Sequence, residues 1–375
     1  MIQLTIDSLV KKNSNDNKYF YLDWTDRDLP KKNAVFFNSI VGLNYNVKKT
    51  VINKFTFFPF VLVGNIKIEE YPIKKLGIEF ENVEYSNIHI LKSHLQKCIR
   101  RKRTENAIKT AKHLIDLDPI QFLRRLAIII IEDTTLCECY STLIWLLVAC
   151  SSLNCFTLGI NHKEWLLGLV YIVSTGVYKE YYFEQYTSNI FETICNDKNL
   201  NENEKSVIFS IGIRISYGGM SGDIKMLKKA IVKFYNRFRK IKETQKNIDY
   251  KKWDDYFRKK INTISLDVEP LSKKKWELSA IDYHCFPKLI EFINRNFDDD
   301  ELPEDELKKI IWEKRSSLNF RINFPDNSFY KEKKSIDDIS SRNNSIKSVH
   351  DVCILWKDLE RILNRISFYV INNYS

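Results

Sequence analysis

The chain has 375 residues, 44% of them apolar and 13% aromatic, which is enough to pack cores and excludes a wholly disordered chain. Only 10 Gly and 8 Pro exclude collagen-like and linker-dominated architectures, and at about 150 residues per domain the length implies two or three domains. Fifty-nine Lys and Arg against 48 Asp and Glu leave a net charge of +11, which favours polyanionic partners.

The first residues, Met1 to Asp7, show no basic segment followed by an apolar one, so no secretory signal is expected. Residues 1–90 read as a β-rich domain. Lys18 to Trp24 and Ala34 to Phe37 are aromatic and β-branched, and Val51 to Val63 continues in that style. Asn, Asp, Pro and Gly punctuate these runs as turns require, and Pro59 assigns the middle of its run to an edge or a bulge.

Residues 91–262 read as a helical domain. Leu95, Ile99, Ala107, Ile108, Ala111, Leu114 and Ile115 recur at three- and four-residue steps, which predicts one helix from Leu95 to Leu117. Pro119 opens the next, over Ile120 to Ile131. Thr135 to Leu153 and Lys163 to Ser174 carry apolar residues on more than one face, as core helices do, and each apolar run is too short to span a membrane. Asn201 to Glu204 reads as the cap of a helix reaching Ile215. Asp223 opens the most amphipathic helix, with Leu227, Ile231, Phe234, Phe238 and Ile241 on one side. Between Ser221 and Lys260 there are 14 Lys and Arg against 5 Asp and Glu.

Residues 263–375 read as a mainly helical region. A helix is expected over Trp276 to Phe297, broken at Pro287, with an acidic loop from Asp298 to Glu306 and a final helix from Asp351 to Tyr369. A mobile loop is expected near 331–348, where Ser340 to Ser345 is of low complexity. The fold class is therefore α+β, mainly α. The eight cysteines lack paired metal-site spacings and lie mostly in apolar runs, so they read as buried free thiols of an intracellular, reducing compartment, in cytoplasm or nucleus. No cofactor and no metal site is expected.

Three constellations carry candidate chemistry. Lys97, Arg100, Arg101, Lys102 and Arg103 place five cations within seven residues, with Glu105 the only nearby acid, and phosphate neutralisation is the physical use of such a cluster. Lys228, Lys229, Lys233, Arg237, Arg239 and Lys240 form a second basic set on the amphipathic helix. Just before it, Gly218, Gly219 and Gly222 suit a phosphate-binding turn at a helix N-terminus, although a helix–helix turn capped by Asp223 explains the same residues without a ligand. A third set, Asp282 and His284 with Glu132 and Asp133, would serve a divalent metal or acid–base chemistry; a structural turn ahead of Pro287 is the preferred alternative for the first two. One of Arg124 and Arg125 must lie near the buried side, with Glu132 or Asp133 as the expected partner.

Leu95-Gln96-Lys97-Cys98-Ile99-Arg100, then Ala107, Ala111 and Leu114, Asp118-Pro119, Arg124-Arg125-Leu126 and Glu132-Asp133 follow an order that resembles the helical region of the replication-associated recombination ATPases, the Werner-helicase-interacting-protein family. That region is similar to clamp-loader collar domains, and the resemblance covers about residues 91–136. It implies a collar-like helical body and a replication or repair role. Because no G-x-x-x-x-G-K-[ST] occurs anywhere, it does not bring nucleotide hydrolysis with it.

The expected function is a non-enzymatic nucleic-acid-binding accessory protein of DNA replication, recombination or repair, of the kind found in large DNA viruses. DNA is the favoured partner, no membrane is involved, and a homo-oligomer or a replication-protein partner is left open. The alternatives are a metal-dependent nuclease or phosphotransferase, and a structural or scaffold protein that binds an acidic protein partner.

Overall fold

The computed structural model describes residues 18–24, 34–52, 59–66, 88–136, 139–153, 156–176 and 179–244. Four strands, β1 (Lys18–Asp23), β2 (Val35–Phe37), β3 (Val47–Ile52) and β4 (Phe60–Asn65), precede eight helices among these residues. The helices are α1 (Ile88–Arg100), α2 (Thr104–Leu117), α3 (Pro119–Asp133), α4 (Cys139–Ser152), α5 (Ile160–Thr175), α6 (Ile190–Asn196), α7 (Glu202–Ser216) and α8 (Ser221–Thr244). The described fold is mainly α with one small sheet, and none of its helices is long and apolar enough to cross a membrane. The chain divides into two compact units that interleave along the sequence.

Of the described residues, the first unit holds 18–24, 34–52, 59–66, 136, 139–153, 156–165 and 182–244. Its sheet has the order β2-β1-β4-β3, with β1 and β4 parallel and both outer pairs antiparallel. Alternation along β1 and β4 sends Phe20, Leu22, Phe60 and Leu62 to one face, all fully buried, and Tyr21, Val61 and Val63 to the other. On the first face Phe20 stacks on Phe36 at 4.3 Å, and Phe60 and Phe209 of α7 meet Phe36 edge-on. Tyr19 and Phe37 extend the second face, and Ile40 and Leu43 pack against it. Both faces are therefore packed, which is why β4 reads as a continuous apolar run.

Later helices complete this unit. Trp145 of α4 donates from Nε1 to the carbonyls of Phe20 and Val63, each at 3.1 Å. Its ring lies so close to β4 that a Cβ on Gly64 would fall 2.7 Å from Cζ2, so glycine is required there. The edge strand β2 is closed off by hydroxyls: Thr142 of α4 accepts from Ala34 N at 3.2 Å and Ser206 of α7 accepts from Phe36 N at 2.8 Å. Every residue of α4 from Cys139 to Ala149 is buried, as expected of a helix apolar on all sides.

Of the described residues, the second unit holds 88–135, 166–176 and 179–181. Helices α1, α2 and α3 pack on one another through Leu91, Leu95 and Ile99, through Ala107, Ala111 and Leu114, and through Phe122, Leu123 and Leu126. Asp118 caps α3 by accepting from Gln121 N at 2.9 Å, and Pro119 takes the first helical position.

Several expectations need correction. The single helix over Leu95 to Leu117 is two. It ends at Arg100 in a Schellman turn, with Arg103 N donating to Cys98 O, Lys102 N donating to Ile99 O, and Lys102 left-handed at φ +58°. The three- and four-residue periodicity survives because α1 and α2 bury the same kind of stripe. Pro59 stands just before β4, which lies inside the sheet and not at its edge, while the bulge alternative is met close by, where the β3–β4 register shifts between Lys49 and Ile52 and Ile52 pairs with Phe60. Asp223 is the third residue of α8, not its cap, and α6 was not expected at all. The capping box at Asn201 and Glu204 is present on α7, with the two bonds at 2.8 and 2.9 Å. Four cysteines of the described residues, 98, 139, 150 and 195, are free thiols, and burial pushes Cys150 up to about 12.

Candidate nucleic-acid interface

The basic helix α8 is positioned from both ends. At its start, α7 finishes at Ser216, and Gly218 and Gly219 adopt φ of +69° and +146°, a backbone reversal that side chains resist. Arg214 of α7 donates from Nη1 to Gly218 O at 2.8 Å and so closes the turn. Gly222 lies inside the first turn of α8, together with Asp223. That carboxylate already complements the positive helix pole which the phosphate-turn reading would offer to an anion. Further along, Asp197 anchors the helix: Tyr235 Oη donates to Oδ2 at 2.9 Å, Arg239 Nε pairs with Oδ2 at 3.2 Å, and Asn199 N donates to Oδ1 at 2.8 Å.

Helical spacing then decides which cations reach solvent. Leu227, Ala230, Ile231 and Phe234 are buried, so the opposite stripe, Lys225, Lys229 and Asn236, is exposed and Lys228 lies at its margin. Lys233 and Arg237 sit at the other margin and are only 3% exposed. Aromatic rings accompany these cations. Lys228 Nζ lies 5.1 Å from the Tyr186 ring, Lys233 Nζ 5.5 Å from Tyr182, and the Arg237 guanidinium 5.0 Å from Phe234. Phe183, beside Tyr182, is 43% exposed. Lys240 lies on the same helix.

The cations at the end of α1 have a different environment. Lys97, Arg100 and Arg101 are only 4%, 4% and 3% exposed, Lys102 is half-buried in the Schellman turn, and Arg103 alone of the five is exposed. Arg100 is held by Glu132 and Asp133, the two acids of the candidate metal set. Its Nε donates to Asp133 Oδ1 at 2.6 Å, and its Nη2 donates to Glu132 Oε1 at 2.8 Å and to Asp133 Oδ2 at 3.2 Å. Gln96 Nε2 donates to both carboxylates, at 2.7 and 3.0 Å, and Gln96 Oε1 accepts from Arg125. Burial alone would raise Asp133, but Arg100, Lys179 and the hydrogen bonds from Arg100 and Gln96 hold it at about 2. Burial likewise opposes the Arg100 charge, yet the two carboxylates outweigh it and raise its pKa. Glu132 and Asp133 therefore form an internal ion-pair site with Arg100, and Arg125 is joined to it through Gln96.

Among the described residues no three or more His, Cys, Asp or Glu side chains gather as a metal site. Asp282 and His284 lie outside the described residues, as do the acidic loop from Asp298, the helices expected at 276–297 and 351–369 and the loop expected near 331–348.

Sequence reasoning missed Lys225, Tyr182, Phe183 and Tyr186. Lys225 stands four residues before Lys229 and shares its face, a signal that helical spacing alone supplies. The aromatic run from Tyr181 to Tyr186 was equally visible, but nothing local connects it with a helix that begins 35 residues beyond Tyr186. Comparison with family models, with curated proteins and with solved structures finds no match.

One stability effect arises from the α1 turn. Lys102→Gly is expected to stabilise the protein by about 0.5–1 kcal/mol, because glycine adopts the left-handed position without the Cβ penalty. Urea unfolding checks it, with Lys102→Ala, which keeps the penalty and removes the side chain, as the control. Lower stability of the glycine variant than of the alanine variant would refute the assignment.

Proposed function

We propose that the protein is a non-enzymatic nucleic-acid-binding accessory protein of DNA replication, recombination or repair, with α1 to α3 as a collar-like helical body and the exposed face of α8 as its phosphate-binding surface. The observation that carries this reading is the grouping of Lys225, Lys228 and Lys229 at the solvent margin of a helix with eight Lys and Arg against Asp223 and Glu243. A net charge of +11 gives the same polarity to the chain as a whole. The buried cations Lys97, Arg100 and Arg101 have no part in the surface.

Purified protein is expected to bind DNA with an affinity that falls steeply with salt, since each neutralised phosphate releases condensed counterions. The double reversal Lys225→Glu, Lys229→Glu should weaken binding for all sequences alike and lower the slope of log affinity against log salt by about 2. Both side chains are exposed, so folding should be unaffected. A flat salt response, an unchanged double variant, or a defined oligomer that ignores DNA would refute the reading, the last in favour of a scaffold. Cleavage of DNA with Mg²⁺ or Mn²⁺, abolished by His284→Ala, would replace it with a nuclease.

A further inference from the structure

We infer that the α8 surface takes single-stranded nucleic acid in preference to duplex, with bases stacking on the aromatic side chains of the segment that runs beside the helix. This inference rests on the reading of α8 as a phosphate-binding face and adds the class of nucleic acid to it.

Residues 182–187 have no helix or strand of their own, yet they are tied to α8 through two cation–ring pairs. Tyr186 lies under Lys228 and Tyr182 lies under Lys233, so the segment runs antiparallel to the helix. Lys228 and Lys233 are five residues apart, about 7.5 Å along the helix axis. Tyr182 is braced from behind by Phe234 of α8, ring to ring at 6.1 Å. Between the two tyrosines, Phe183 is 43% exposed, and its backbone N–H is held by the Glu184 carboxylate at 2.9 Å.

A large aromatic side chain left in water between two tyrosines that each hold a lysine of a basic helix needs a physical account. A scattered apolar residue on a surface needs none, but Phe183 belongs to a run of rings whose tyrosines are fixed against Lys228 and Lys233 of the helix that also carries the exposed Lys225 and Lys229. A duplex offers such a surface only phosphates, because its base faces are stacked on each other. A single strand offers phosphates and unstacked bases together, and base–aromatic stacking is tolerant of sequence because every base has a π-face. Lysines flanked by rings therefore match a strand in both of its chemistries, whereas a duplex would leave Phe183 without a use.

The test compares an oligo(dT) strand of about 16 nucleotides with a blunt duplex of the same length by fluorescence anisotropy at matched salt. The strand is expected to bind at least about tenfold more tightly. Phe183→Ala and Tyr186→Ala should each weaken strand binding by about tenfold, leave duplex binding unchanged and leave the salt slope unchanged, since no charge is removed. Phe183→Trp should retain the strand affinity. Because Phe183 is exposed, its variants report on binding even if Tyr186→Ala fails to fold. Equal or tighter binding of duplex, or a Phe183→Ala variant with unaltered strand affinity, overturns this inference and leaves the phosphate-binding reading standing. Binding of neither probe overturns that reading itself.

Discussion

Asp133→Ala is expected to lower the unfolding free energy by about 3–5 kcal/mol, read by urea denaturation at neutral pH. The magnitude comes from the partner left behind. Arg100 has a side chain only 5% exposed, and Asp133, fully buried, supplies its shortest bond at 2.6 Å. Glu132 would remain, but its side chain is 33% exposed and meets the guanidinium at one nitrogen only. Removing Asp133 strands a buried charge, whereas replacing Arg100 by Met and Asp133 by Leu together removes both charges. The double variant should therefore be more stable than Asp133→Ala, and the two substitutions should be strongly non-additive. A loss below about 1 kcal/mol for Asp133→Ala would show that the pair is solvated and that the buried network is not as described. The same measurement separates architecture from binding: if the double variant folds, its salt-dependent DNA affinity should match the wild type, because neither residue reaches the surface.

Acid should begin to lower the stability of the protein below about pH 6.5, before its carboxylates are protonated. His94 is fully buried and its pKa is lowered to about 3, by burial first and by Arg101 second; His162 is lowered to about 4 by burial. The surroundings agree with neutral rings. His94 Nδ1 is 2.7 Å from Thr110 Oγ1, whose hydroxyl donates to Asn106 O, so the imidazole is the donor. His162 Nδ1 accepts from Gly159 N at 3.1 Å, and the ring lies 4.5 Å from Trp24 and 5.8 Å from Phe156. A histidine whose folded pKa lies below its unfolded value near 6.5 binds a proton first in the unfolded chain. Stability is therefore complete above about pH 6.5 and falls as pH drops toward about 4 and 3, by about 1.4 kcal/mol per pH unit for each ring. Near pH 4.5 each histidine should account for roughly 2–3 kcal/mol. His162→Phe, among rings that can receive another, should flatten its share of the profile. Asp133 acts in a lower window: its contribution persists above about pH 4 and is lost as pH falls toward about 2. Urea midpoints that are unchanged between about pH 7 and 5 would contradict the buried neutral histidines.

The elements most legible in the sequence were those with a strong local signal. The capping box at Asn201 and Glu204 places the start of α7, and the Asp118-Pro119 pair places the start of α3, because caps and prolines act within one helical turn. The apolar runs of α4 predicted a helix buried on all sides, and all residues from Cys139 to Ala149 are buried. The boundary at Arg101 to Arg103 was not legible. A lysine can occupy the left-handed position when the Schellman hydrogen bonds and the packing of α1 against α2 repay the strain, and no glycine marks the place. For the site, α8 and most of its lysines followed from periodicity, whereas the tyrosines that accompany them come from a segment whose relation to the helix is purely spatial.

The five cations from Lys97 to Arg103 mark the boundary between the two kinds of information. Composition and periodicity by themselves determined that the chain is basic, mainly helical with an early β-rich part, and that its positive charge gathers in two stretches. Only the tertiary structure decided that Arg100 faces two carboxylates more than thirty residues away while Lys225 and Lys229 face water. Helical spacing orders side chains around one axis, but which side of that axis is interior depends on the elements packed against it. The energy of a charge depends on that choice, since a cation in water is screened and available to phosphate, whereas a buried one must be paired within the fold.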